Sequence, residues 1–145
     1  MESIKLLHVE EKPILVNTVK TLLPEDFKKV KIRLGLLLQY RIGLNMLGLQ
    51  IDITYISDES EELMHYQALF TVEDEEWLSF LETQPVNIQI SEYSCKMFDM
   101  ALGYARSSIS KKLQGTSIAS LYLPVFKPED YTKHIGVVCL DKLNH

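Results

Sequence analysis

The sequence holds few of the residues that bridge, chelate or catalyse. There are two cysteines, Cys95 and Cys139, far apart and without metal-ligand spacing, which predicts two free, partly buried thiols in a reducing compartment. The four histidines, His8, His65, His134 and His145, share no spacing with one another or with an acid that would form a helical metal motif. There is no G-x-S-x-G, no phosphate-binding loop and no G-x-G-x-x-G. Ser107, Ser108 and Ser110 lie together without a paired base and read as polar helix surface. No catalytic residue, metal or cofactor is expected, and the chain does not read as an enzyme.

Two further absences exclude partners. Lys and Arg number 15 against 20 Asp and Glu, a net charge of −5. A nucleic-acid binder normally shows a basic stripe, so none is expected to bind here. No window approaches the ~18 uncharged apolar residues of a membrane span. The opening MESIKLLHVEEKP carries charges every few residues and no apolar core of signal-peptide length, so the expected location is cytoplasmic.

What is present is an ordinary globular balance, 46% apolar and 24% charged over 145 residues. That is most simply one domain, residues 1–145, burying roughly two-thirds of its unfolded surface. The strongest pattern lies in Tyr93–Pro124. Met97, Phe98, Ala101, Leu102, Ala105, Ile109 and Leu113 recur at offsets of three and four, the stripe of an amphipathic helix. Asp99, Arg106, Ser107, Ser110, Lys111 and Gln114 take the opposite face. Lys111 and Lys112 suit the negative end of the helix dipole, and Gly115 is placed to end the helix.

Upstream the period changes to two. Ile32, Leu34, Leu36, Leu38 and Tyr40 alternate with polar residues or glycine; so do Leu47, Leu49, Ile51, Ile53 and Tyr55, and then Met64, Tyr66, Ala68, Phe70 and Val72. Turns at Gly43–Asn45 and Asp58–Ser60 make these three an antiparallel meander. Its second face is polar except for Leu37, Ile56 and Leu69, enough to suggest cover by another subunit. Ile4–Val9 reads as a first strand, and Pro13–Val30 as a short helix or an irregular crossover. Asp74–Glu82 reads as a short helix with Trp77 on its apolar side, Asn87–Ile90 as an extended lead into the long helix, and Pro128–His134 as another short helix. Gly136–Leu140 reads as a terminal strand or a packed tail. The expected fold class is α+β: an antiparallel sheet of about four strands packed on a long helix.

Two acidic clusters, Asp58–Glu62 and Glu73–Glu76, fall in turns and read as solvated charge or as an electrostatic docking patch. Leu22, Leu23, Phe27, Trp77, Phe80 and Phe98 lie in segments that should flank the sheet. They fit either the core or an exposed groove for extended apolar peptides.

Gly103-Tyr104-Ala105-Arg106, then Ile109, Leu113-Gln114-Gly115-Thr116 and Leu121-Tyr122-Leu123-Pro124-Val125 resemble the SecB protein-export chaperone family. In that likeness the stretch corresponds to the family's long first helix and the segment after it. Lys31–Glu73 is similar to the later sheet strands, and Pro13–Val30 falls at the crossover between the first two strands. The resemblance spans about residues 4–134. It implies an ATP-independent holding chaperone, a dimer or dimer of dimers, that keeps unfolded polypeptide clients in apolar grooves near the crossover and the first helix. Some relatives hand clients to the SecA motor and others protect an antitoxin. Leu22, Leu23 and Phe27 match the family's crossover by place and, with the flanking Trp77, Phe98 and Leu102, make the expected client groove; Glu61 and Glu62 match acidic positions of motor docking. The helix with Trp77 and the apolar tail after Gly136 depart from the family pattern, which puts motor docking in doubt. The competing expectation is an interaction module on the same scaffold with one dedicated partner.

Overall fold

The computed structural model describes residues 4–17 and 24–142. Alternation of apolar and polar side chains gives three long strands, β3 (Lys31–Tyr40), β4 (Met46–Ile56) and β5 (Glu62–Asp74), after β1 (Ile4–Glu11) and the two-residue β2 (Leu15–Val16). The meander pairs Leu36 with Ile51, Leu38 with Leu49, Leu49 with Phe70 and Ile53 with Tyr66, so all these side chains share one face. Gly43, at φ +82°, makes the first turn without the strain a Cβ would bring. The second is held by Ser57, whose Oγ accepts the backbone N–H groups of Glu59 and Glu61, both at 3.2 Å.

The long helix, α2 (Asn87–Lys112), closes the apolar face. Met97, Phe98, Ala101, Leu102, Ala105 and Ile109 are all buried and belong to one core cluster with the strands. Gly115, at φ +84°, follows the last turn and lets the chain leave the helix. The chain then passes α3 (Pro128–Tyr131) and a 3₁₀ turn, and ends its regular structure in β6 (Ile135–Cys139).

The α+β class stands, but the sheet is larger than four strands and is mixed. Its six strands run β1-β5-β4-β3-β6, with β2 also on β5. β6 lies parallel to β3, Leu36 facing Ile135 and Tyr40 facing Cys139. A parallel partner from beyond the helices leaves no local turn signal, so the sequence showed only an apolar segment there. Three local expectations also change. Asn87–Ile90 is the first turn of α2, not an extended lead; the Gln89 side chain accepts the Val86 N–H at 2.9 Å. Pro13 starts no helix, since Leu15 and Val16 pair with His65 and Met64. The expected Asp74–Glu82 helix shrinks to α1 (Trp77–Leu81), because β5 runs through Asp74. Cys95 and Cys139 are both free and half-buried.

Candidate binding surfaces

The residues expected to line a client groove are mostly elsewhere. Leu22 and Leu23 lie outside the described residues. Phe27 is half-buried in a 3₁₀ turn, Pro24–Lys29, ahead of β3. Trp77, Phe98 and Leu102 are buried to 0%, 0% and 1% exposure, so they build the core and present nothing to a client. The helical stripe that singled out Phe98 and Leu102 is the stripe that faces the sheet. Trp77 is enclosed by an aromatic cluster: Tyr40 meets it edge-on at 5.4 Å, Phe80 lies at 5.7 Å and Tyr93 at 5.9 Å between ring centres.

That cluster underlies an exposed apolar surface which the sequence did not single out. A groove of about 500 Å³ opens between the β3–β4 turn, α1, the start of α2 and the end of β6. Tyr40, Ile42, Leu78, Leu81, Pro85 and Ile90 supply its apolar lining. Ile42 is 67% exposed, and Leu44, Met46, Val86 and Ile88, exposed at 42–70%, come from the same turn and helix start. Apolar side chains this exposed at two adjoining chain segments mark an interaction surface more often than isolated surface leucines do. Two polar anchors fix the α1 wall. Asn45 Oδ1 accepts the Leu78 N–H at 3.1 Å, which caps α1 from the hairpin turn. The buried Asp74 accepts the Tyr93 hydroxyl at 2.7 Å and the Glu76 N–H at 3.1 Å. Burial, and then the hydrogen bond and the charge of Asp74, push the Tyr93 phenol up, so it stays a donor.

The sheet's other face is open and polar. A concavity of about 950 Å³ lies over Gly35, Leu37, Gln50, Asp52, Gln67 and Leu69, walled by the His8–Pro13 stretch of the chain. At its floor Asp52 accepts from His65 Nε2 at 2.8 Å and from Gln67 Nε2 at 2.9 Å. No hydroxyl or thiol nucleophile is hydrogen-bonded to this His–Asp pair, and no group of metal-ligating side chains is found among the described residues. Glu61 and Glu62 are exposed beside the β4–β5 turn, with Asn17 donating to the Glu62 carbonyl at 3.4 Å.

One half-buried carboxylate organises the other end. Glu11, at the end of β1, accepts from the Tyr66 hydroxyl at 2.7 Å and the Ser108 hydroxyl at 2.5 Å, and pairs with Lys112 Nζ at 3.2 Å. Burial works to raise its pKa, but these donors together outweigh it and hold Glu11 below the usual carboxylate range. The arrangement ties the edge strand β1 to the last turns of α2.

No family model matches this chain, and no curated protein matches it either. The surfaces themselves therefore carry the functional reading. The apolar groove was missed because Ile42 and Leu44 sit in a turn-like stretch, RIGLN, where only the glycine and asparagine signalled.

Proposed function

We propose that this chain is an ATP-independent, SecB-like holding chaperone that binds extended or unfolded polypeptide segments. The observation that carries the reading is the apolar groove between the β3–β4 turn and α1, lined by Tyr40, Ile42, Leu78, Leu81 and Ile90, with the exposed Leu44, Met46, Val86 and Ile88 on the same turn and helix start. Grooves of this kind gain affinity from apolar area without demanding a particular sequence. The connectivity supports it: β1 pairs with β5 on one side of the meander, and the chain crosses over before entering β3 on the other. The SecB resemblance implies such a crossover between the first two strands, followed later by a long helix. Clients would be unfolded chains, held without nucleotide. Glu61 and Glu62 would dock a motor such as SecA, or the chain would guard an antitoxin, in an assembly of two or four copies.

Purified protein should slow the aggregation of a chemically unfolded client at near-stoichiometric ratio with no nucleotide present. Ile42→Glu with Ile88→Glu should remove most of that protection and leave the fold intact, since both side chains are exposed. Protein that neither binds unfolded chains nor alters client aggregation would refute the reading. The open apolar surface also suits a dedicated folded partner. Capture of one stoichiometric protein, with no affinity for generic unfolded chains, would favour that alternative.

A further inference from the structure

The outer edge of β3 is only half covered. β6 pairs with Leu36–Tyr40, whereas Lys31–Gly35 meets no strand on that side among the described residues. The side chains record the gap. Leu36 and Leu38, beside β6, are 5% and 0% exposed, while Ile32 and Leu34 on the same face are left half-buried. A sheet lane with free backbone groups and incompletely covered apolar side chains is what strand addition fills.

The strand already in the lane is weakly committed to it. β6 is five residues long, at the edge, and parallel in a sheet otherwise antiparallel. Parallel pairing is slightly less stable per residue than antiparallel. Four of its five residues are half-buried rather than buried, and Gly136 offers no side chain toward Leu37. Ile135, the first residue of β6, is held in the core with its carbonyl accepting from Ser91 Oγ at 3.4 Å, and a second fastening lies just beyond the strand. Asp141 accepts from the Ile42 N–H at 2.5 Å and from Arg41 Nη1 at 3.3 Å, which clips the chain to the β3–β4 turn.

The exposed side chains say what would pair there. Lys31 and Arg33 stand on the second face of the free half and make no ion pair among the described residues. Cations at an edge discourage pairing with a generic apolar strand or with a second copy of the same edge. They turn into contacts for a strand that alternates apolar with acidic residues. Its apolar side chains would cover Ile32 and Leu34, and its carboxylates would face Lys31 and Arg33. We propose that the β3 edge is a strand-addition site for an extended, apolar–acidic alternating segment, with Lys31–Gly35 as the point of entry and β6 as a displaceable occupant of the rest.

The lane's far end, at Tyr40 and Cys139, also borders the apolar groove, but its entry at Lys31–Gly35 lies outside the groove lining, so exchange at residues 31–35 separates the two readings. The test uses full-length protein and two ten-residue peptides, one alternating valine with glutamate and the other valine with lysine. Fluorescence anisotropy should show the glutamate peptide binding and the lysine peptide at least about tenfold weaker. Lys31→Glu with Arg33→Glu should reverse that order. Asp141→Ala, which frees the clip, should tighten the glutamate peptide about threefold or more. Hydrogen exchange on binding should slow at residues 31–35 and quicken at 135–139. Absence of binding, an unchanged peptide preference in the double charge reversal, or protection at residues 42–46 and 86–90 instead would each overturn the proposal. Protection at those last residues would leave the chaperone reading standing.

Discussion

At the scale of single residues, the fold turns on partly buried polar groups as much as on apolar ones. Glu11 is the clearest case, since three donors from β5 and α2 converge on one carboxylate whose side chain is 19% exposed. Hydrogen bonds to a charged group contribute about 1.5–3 kcal/mol each when measured by removal, so Glu11→Gln should destabilise the protein by roughly 1–3 kcal/mol at neutral pH. The pH dependence has a definite sign. The folded-state pKa of Glu11 lies below its unfolded value, so the contribution is present above that unfolded value, about 4.5, and is lost as pH falls through the folded one. Urea denaturation from pH 7 to pH 3 should therefore show the gap between wild type and Glu11→Gln narrowing as pH falls below about 4.5. A gap that persists unchanged to pH 3 would mean that the acceptor geometry lost to the amide, and not the carboxylate's charge, makes the difference.

At the scale of elements, periodicity identified what neighbours decide and missed what distance decides. The strands of the meander and the stripe of α2 were legible because each alternates or recurs against one apolar layer. The first turn of α2 was not. Asn87, Ile88 and Gln89 carry neither a cap residue ahead of them nor a buried stripe, and Ile88 is 70% exposed. The pairing of β6 with β3 was not legible either, because nothing local specifies a partner about a hundred residues away. The same distinction explains the misplaced groove. Phe98 and Leu102 are apolar at helical spacing, and such a stripe fits core and groove alike until the sheet is seen beneath it. Phe98→Ala should therefore act as a core mutation, costing about 3–5 kcal/mol of stability in denaturant titration. Under the proposed chaperone function, binding of unfolded chains by the fraction still folded should be unchanged. A variant of normal stability with weakened client binding would return Phe98 to the surface.

At the scale of the whole molecule, the described residues leave two sheet edges and one sheet face uncovered. A lone sheet edge with exposed leucines is an aggregation hazard unless something pairs with it or blunts it. β1 carries Leu6 at 36% and Leu7 at 48% exposure, with a bulge between Leu6 and His8 that breaks its register on β5. Its exposed polar Lys5, His8 and Glu10 blunt the edge only in part, and Leu37, Ile56 and Leu69 remain half-buried across the open face. The β3 edge, guarded by Lys31 and Arg33, repels a copy of itself. Self-association should therefore run through β1, joining two sheets edge to edge. Sedimentation at micromolar concentration should show a species larger than the monomer, and Leu7→Lys should shift it toward monomer without loss of the far-ultraviolet dichroism of the folded chain. Amides of residues 4–9 should exchange slowly in the assembled protein and quickly in the variant, because their outward N–H groups gain partners only in the assembly. A wild-type protein that sediments as monomer throughout that range would remove the assembly. It would leave the charges and the bulge as the whole defence of that edge.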